Sequence, residues 1–325
     1  MTAFADEGRV PDLDRGAPFY VAGHRGMVGS AVWRALEAEG FYDLHGRASS
    51  ELDLRDRDAT FAYLQEIRPR YCVIAAARVG GIMANATRPV EFLSDNLRIQ
   101  VNVMDAARAV GVQRLLFLGS SCIYPRDAPQ PIKEESLLTG PLEPTNDAYA
   151  IAKIAGIHQV QAVRREDGLA WISAMPTNLY GPGDNYDLET AHVLAALIRR
   201  FSMAVAAGDD VVTLWGTGTP MREFLHVDDF ARACLVMLER YDGVLPLNVG
   251  SGDEISIAAL AALVAKEVGY LGDIAWDDAK PDGTPRKLLD STAIRSLGWA
   301  PRVSLSWGIR SLYAGIRVWD GNPSV

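Results

Sequence analysis

Short apolar runs alternate with longer segments of helical period through the first half of the chain. Phe19–Ala22, Leu44–Arg47, Tyr71–Ala77, Leu115–Leu118 and Ala170–Met175 read as buried strands. Between them Ser30–Glu39, Asp56–Glu66, Glu91–Val110 and Ala148–Glu166 carry apolar residues at helical spacing. Strand and helix in strict alternation predict an α/β fold with a Rossmann-type, doubly wound parallel sheet. Beyond Tyr180 the pattern changes. A helix is expected over His192–Ala207, short strands over Val211–Trp215 and Glu223–His226, a helix over Asp228–Leu238 and a strand over Leu247–Val249. Ser256 caps a further expected helix running to Val268, and a last one lies near Leu305–Trp319. The expected organisation is a mobile extension over residues 1–17, a large domain over 18–180 with returns near 227–250, and a smaller, mostly C-terminal α/β domain from 181–226 and 251–325. No internal repeat or low-complexity tract is present.

Composition narrows the class. Hydrophobic content of 49% and charged content of 22% are those of an ordinary globular protein. A net charge of −9 speaks against general nucleic-acid binding, which needs a basic field, but leaves room for a small anionic ligand held by a few arginines. Cys72, Cys122 and Cys234 are far apart and form no CxxC pair, so neither a disulfide framework nor a metal site is suggested. No apolar run has the length of a membrane span, and the N-terminal residues are polar and acidic. A cytoplasmic location with no membrane partner is the expectation.

The first strand runs into Gly23-His24-Arg25-Gly26-Met27-Val28-Gly29 and then a helix. In that context glycines permit a tight turn, a close approach of backbone to a pyrophosphate, and tight helix–strand packing. The helix N-terminus supplies N–H groups and a favourable dipole for phosphates. Where an NAD site usually places an acid at the end of the second strand, this chain has Arg47, with Arg25 in the glycine loop. Two arginines there favour the 2′-phosphate of NADP(H), although Glu51 lies nearby and Arg47 also reads as a solvated surface residue.

The chemistry gathers on two stretches. Leu115–Leu118 is followed directly by Gly119-Ser120-Ser121-Cys122, and ligands in open α/β sheets sit just beyond strand carboxyl ends. Tyr149 and Lys153, four apart on a helix, share one face. An ammonium beside a phenol of ordinary pKa near 10 eases proton exchange with a carbonyl or alcohol oxygen, and Ser120 can bond that same oxygen. Hydride transfer assisted by a dinucleotide cofactor is the implied reaction type.

These motifs together resemble the extended short-chain dehydrogenase/reductases from Phe19 onward. The likeness is strongest to the bifunctional epimerase–reductases of that family, which act on GDP-4-keto-6-deoxy-D-mannose. It is carried by Ala22–Ser30, Leu116–Pro125, Tyr149–Gly156, Met175–Pro182, Trp215–Phe224 and Lys280–Lys287. The resemblance implies that Ser120, Tyr149 and Lys153 form the reductase triad and that Cys122 and His192 form the acid–base pair of a 3,5-epimerisation. Read on residues alone, Cys122 is as simply a buried inert thiol and His192 a helix-start residue. The implied NADPH site comprises Gly23, His24, Arg25, Gly26, Met27, Val28, Gly29, Arg47, Asp53, Leu54, Ala76, Leu118, Gly119, Ser120, Tyr149, Lys153, Pro176, Thr177, Asn178, Leu179 and His192. Ser121, Cys122, Asn178, Arg200, Trp215, Arg222 and Asp282 are the implied contacts of the GDP-sugar. The family often carries a basic residue where Ser49 stands, so part of the 2′-phosphate grip is expected to be missing. A homodimer is also implied, through a four-helix bundle built from the helices near Glu91–Val110 and Ala148–Glu166 of each subunit.

Two rival readings stay open at this level. A nucleotide-sugar 4-epimerase or 4,6-dehydratase of the same fold would hold NAD tightly, but it has no use for Cys122 with His192, and a dehydratase carries a carboxylate pair near this strand end. A non-catalytic NADP(H)-sensing scaffold has no need of Ser120, Tyr149 and Lys153 together.

Overall fold

The computed structural model describes residues 12–316, apart from 189 and 281. In chain order the elements are β1 (Phe19–Ala22), α1 (Met27–Ala38), β2 (Leu44–His45), α2 (Arg57–Ile67), β3 (Tyr71–Ile74), α3 (Ile82–Thr87), α4 (Pro89–Ala109), β4 (Arg114–Leu118), α5 (Asp147–Asp167), β5 (Ile172–Pro176), β6 (Asn178–Tyr180) and α6 (Val193–Ala207). They continue with β7 (Val211–Trp215), β8 (Met221–His226), α7 (Val227–Arg240), β9 (Leu247–Val249), β10 (Glu254–Ser256), α8 (Ile257–Val268), β11 (Asp273–Asp277), β12 (Arg286–Lys287), α9 (Thr292–Ser296) and α10 (Leu305–Ile316).

Six parallel strands form the main sheet in the order β2-β1-β3-β4-β5-β9. The order reverses between β1 and β3, which opens a crevice at their carboxyl ends. β1, β3 and, after Arg114, β4 are buried and apolar on both faces, as a sheet covered on both sides requires. Phe19, Val21, Val73, Leu116 and Leu118 pack with Ala31, Val32 and Leu36 of α1 and with Phe230 and Leu235 of α7. Tyr20, Ala22, Cys72, Ile74, Leu115 and Phe117 pack with Leu64 of α2, Val103 and Met104 of α4, and Ile154 and Ile157 of α5. A second lobe has its own core of Leu197, Ile198 and Phe201 on α6, Val212 and Leu214 on β7, Leu260 and Val264 on α8, and Ile309 and Leu312 on α10. In that lobe β8 is central: it pairs with β6 and β12 in parallel and with β10 antiparallel, while β7 pairs with β11.

Several boundaries differ from those expected. Residues 12–17 are docked on the main core rather than mobile: Leu13 and Ala17 are buried and Arg15 pairs with Glu239 at 2.7 Å. Residues 1–11 lie outside the described residues, as do 317–319 of the expected last helix. β3 stops at Ile74, short of Ala77, because β1 itself turns away at Gly23 after a last bond from Ala75 N–H to the Ala22 carbonyl. The strands β6, β10, β11 and β12 and the helices α3 and α9 were not foreseen. All but β11 are too short to show a hydrophobic period, and β11 begins and ends on an aspartate with no clear alternation between.

One buried cation ties β4 to the end of α7 and the approach to β5. Arg114 opens β4 and is 3% exposed. Its guanidinium donates to the carbonyls of Leu238 (2.9 Å), Met237 (2.9 Å) and Tyr241 at the end of α7, and to Ala170 (2.8 Å) before β5. The carbonyls at the end of α7 need donors when buried, and Met237 already accepts from Tyr241 N–H at 3.0 Å as well. Asp242, 3.7 Å away, partly balances the charge, yet burial still lowers the guanidinium pKa to about 10. Arg114→Ala leaves those carbonyls without their cation, while Asp242 keeps Arg164 at 2.8 Å. The substitution should cost about 3 kcal/mol, read as a lower urea midpoint with an unchanged m-value.

Candidate active site

The site is built where β1, β3, β4 and β5 end. Gly23 closes β1 with a left-handed φ of +82°, and a Cβ there would lie 2.7 Å from the Ala76 nitrogen. Gly29 sits where α1 crosses the turn, and a Cβ would come within 2.0 Å of the Gly23 carbonyl oxygen. Both positions exclude every residue but glycine. Gly26 begins α1 without any side chain capping the first N–H groups. The open helix terminus is thus left to an outside acceptor, and Gly26–Gly29 line a cavity of about 380 Å³. The residues present therefore fit the pyrophosphate of a dinucleotide.

The same cavity is lined by Leu118, Gly119, Ser120, Ser121, Cys122, Tyr149, Lys153, Pro176, Thr177, Asn178, Leu179, His192 and Arg222. All five residues expected to do chemistry therefore share one space. Ser120 caps a single 3-10 turn over Ser121–Ile123. The Cys122 thiol donates to its hydroxyl oxygen at 3.1 Å, which leaves the Ser120 O–H free to face a ligand. Lys153 is buried, donates to the Leu118 carbonyl at 2.8 Å, and lies 4.9 Å from the Phe117 ring centre and 5.7 Å from that of Tyr149. Burial lowers its pKa to about 8, against an opposing pull from Cys122. Burial, reinforced by Cys122, holds the Tyr149 phenol well above its ordinary range. Without a ligand Tyr149 is therefore a neutral proton donor, and Lys153 is committed to the β4 end rather than to the phenol oxygen. His192 caps α6 at the cavity rim and stays open to solvent, but the surrounding protein still lowers its pKa.

Asn178 donates to the Glu223 carbonyl at 2.8 Å, which turns its side chain along the cavity wall. Arg222 also lines the cavity, with its pKa lowered by burial against the pull of Asp282 and Glu143.

Other expected residues lie beyond this cavity. The His24 ring packs on Trp33 at 5.3 Å with its Nδ1 buried and unbonded. Arg25 and Arg47 are exposed, and Arg47 lies over Tyr63 at 5.3 Å. Ser49 is exposed as well, and the Glu51 carboxylate accepts from Ala48 N–H at 2.7 Å. Asp53 is held by Arg55 at 2.8 Å, and the Leu54 carbonyl accepts from Asn102 at 2.9 Å. Ala76 lies against Gly23. In the second lobe Trp215 is 56% exposed, between Arg200 at 5.9 Å and Lys280 at 5.7 Å. Asp282 is spent on Thr217, accepting from its N–H (3.0 Å) and hydroxyl (2.7 Å).

Sequence reasoning did not select Lys287, Glu143, Asn146 or Asn85, which line the cavity too. Lys287 follows Arg286 on a two-residue strand with no period to betray it. Burial lowers its pKa. Lysine scarcity was the available signal: the chain has only five, and two of them, Lys153 and Lys287, face this cavity. Among the described residues no His/Cys/Asp/Glu cluster is arranged to hold a metal, and no helix is long and apolar enough to cross a membrane.

A parallel sheet with a glycine cradle at its switch point, and a strand-end serine sharing one cavity with Tyr149 and Lys153, defines a class of dinucleotide-dependent enzyme. The chain belongs to the NAD dependent epimerase/dehydratase family, whose family model matches residues 19–250. Within it, the chain is 55% identical over 301 residues to a probable GDP-L-fucose synthase 1 of Oryza sativa subsp. japonica, covering 92% of each chain. It is 49% identical over 303 residues to the GDP-L-fucose synthase of Escherichia coli K12, covering 90% of this chain and 94% of that one. Among solved structures, a GDP-L-fucose synthetase from Naegleria fowleri bound to NADP superposes with a TM-score of 0.87 at 26% identity, covering 96% of this chain and 97% of that one.

The buried ammonium makes a testable demand on stability. Between about pH 8 and the ordinary lysine value near 10.4 the unfolded chain keeps the Lys153 proton and the folded chain releases it. Stability therefore rises with pH across that window. Relative to Lys153→Met, which cannot titrate, the ligand-free parent should gain about 3 kcal/mol from pH 7 to pH 10.5. Urea midpoints of the two proteins at both pH values measure this, and a pH-independent difference would contradict it.

Proposed function

We propose that the protein converts GDP-4-keto-6-deoxy-D-mannose to GDP-L-fucose, by epimerisation at C3 and C5 followed by NADPH-dependent reduction at C4. The observation that carries this reading is the presence of Cys122, His192, Ser120, Tyr149 and Lys153 in one cavity beside the glycine cradle. Identity of about half over nine-tenths of the chain to GDP-L-fucose synthases supports it. Bound on the α1 terminus, NADPH supplies the hydride that the C4 carbonyl accepts.

The chain's own residues do the rest. A ketone at C4 acidifies the C–H bonds at C3 and C5, so each centre inverts if one group takes a proton and another returns one on the opposite face. A thiol and an imidazole, with ordinary pKa values of about 8.5 and 6.5, straddle neutrality and suit that exchange. Ser120 donates to the C4 oxygen throughout, which stabilises the charge that builds there when a C–H proton leaves. Tyr149, protonated because it is buried, gives its proton to the same oxygen during reduction. Lys153 holds α5 against the end of β4 so that the phenol reaches that oxygen. Arg222 and Lys287 are cations pushed out of water without a firm carboxylate partner, and a diphosphate suits them. Arg200 and Trp215 extend this surface toward a nucleoside. Exposed Arg25 and Arg47 would supply charge for a 2′-phosphate, with Ser49 adding none. We further infer a homodimer in which α4 and α5 of each subunit form a four-helix bundle; exposed Val101 and Ile151 on these helices support it.

The test combines protein, GDP-4-keto-6-deoxy-D-mannose and NADPH in deuterated water. Nicotinamide absorbance should fall, and NMR should find deuterium at C3 and C5 of a fucosyl product. Reduction without ring deuterium would leave a ketoreductase and remove Cys122 and His192 from the mechanism. Cys122→Ser should abolish ring exchange while NADPH binding is retained. Tyr149→Phe should slow hydride transfer by roughly a hundredfold or more, measured under single-turnover conditions.

A further inference from the structure

His192 enters the cavity from the second lobe, at the start of α6, while the other reacting groups are fixed to the main sheet. The turn before it is braced internally: Thr190 and Ala191 N–H groups donate to the Asp187 carbonyl at 3.2 and 2.7 Å. It also meets the main lobe directly. Gly81 N–H donates to the Thr190 carbonyl at 3.0 Å, and a Cβ on Gly81 would come 2.9 Å from the Ala191 carbonyl oxygen. The backbone just before His192 is thus joined to the main lobe through Gly81.

That glycine is itself held. Asn85 is 7% exposed, and its amide donates to the Gly80 carbonyl at 2.8 Å and the Gly81 carbonyl at 3.0 Å. Two carbonyl partners fix which end of the amide is nitrogen, since only the NH₂ group can donate to both. Asn85 Oδ1 is left buried without a partner. An unsatisfied buried oxygen costs free energy and is a poor choice for stability alone. A Leu of similar size would cost less, unless the two donated bonds are needed where they are.

We propose that Asn85 and Gly81 are positioning residues for His192: the Asn85 amide sets the Gly80–Gly81 backbone, and Gly81 sets the Thr190–Ala191 carbonyls from which His192 projects. The inference rests on the acid–base role given to His192. Its consequence is selective. Displacing this strut moves His192 but leaves Ser120, Tyr149 and Lys153, which α5 and β4 hold, in place.

Two half-reactions separate the effects. Ring exchange is followed by the mass gain of GDP-4-keto-6-deoxy-D-mannose in deuterated water with NADP⁺ and no reductant. Hydride transfer is followed in reverse, as single-turnover oxidation of GDP-L-fucose by NADP⁺, which needs no epimerisation. Gly81→Ala and Asn85→Leu should each slow exchange by about tenfold relative to hydride transfer, the scale expected of a misplaced catalytic group. In a His192→Asn background neither substitution should slow exchange further. Parallel loss of both half-reactions, or undiminished loss in the His192→Asn background, would overturn the proposal. If His192→Asn alone exchanges at the parental rate, the role of His192 falls and the inference with it. If His192→Asn loses exchange while Gly81→Ala and Asn85→Leu keep it, the inference alone falls.

Discussion

A single buried ammonium, that of Lys153 on the Leu118 carbonyl, locks the working face of α5 to the end of β4. The geometry of the cavity follows from it. Tyr149 lies one turn earlier on the same helix, and Ser120 and Cys122 follow two and four residues after Leu118. The bond therefore sets the distance between the two stretches that carry the chemistry. It is made at a cost, since burial drives the lysine toward neutrality. A residue chosen for stability would not be charged there. The same desolvation keeps the phenol of Tyr149 protonated, so one physical cause prepares both groups.

A buried carboxylate plays the corresponding part in the second lobe. Glu223 is fully buried on β8, and burial raises its pKa despite the N–H groups it accepts from Gly252 (2.7 Å) and Leu289 (3.2 Å). Its own carbonyl accepts from Asn178 (2.8 Å) and Thr177 (3.3 Å). It thus joins the segment leaving β5, the segment leaving β9 and the segment following β12. The cavity-lining cations Arg222 and Lys287 lie beside it in register across β8 and β12. The two lobes meet through such bonds rather than through a continuous apolar core, since the clusters on either side of the main sheet and the cluster of the second lobe are separate.

Legibility in the sequence followed length and locality. β1, β4 and β7 were readable as apolar or alternating runs, and α2, α5, α7 and α8 by period; Ser256 caps α8 as expected, while Asp56, expected as the first residue of α2, is its cap. The two-residue β12 and three-residue β6 and β10 were not, because their pairing is decided by β8 and not by their own residues. Residues 12–17 looked like solvent-exposed chain from composition. Leu13 and Ala17 are nevertheless drawn into the core that α1 and α7 build, a fact no local pattern holds.

The sequence by itself determined the class of the molecule. Strand–helix alternation specified a parallel sheet, the spacing of Gly23, Gly26 and Gly29 specified a dinucleotide turn, and the four-residue interval from Tyr149 to Lys153 put both on one helix face. These are local facts, set by backbone sterics and helical period. Only the tertiary structure decided which distant residues share the cavity. It brought Lys287 and Arg222 into the cavity that Cys122 lines, joined the turn before His192 to Gly81, and left Asp282 bonded to Thr217. Such contacts join segments scores of residues apart. They depend on how two lobes pack across buried polar groups, and hydrophobic periodicity carries no record of that.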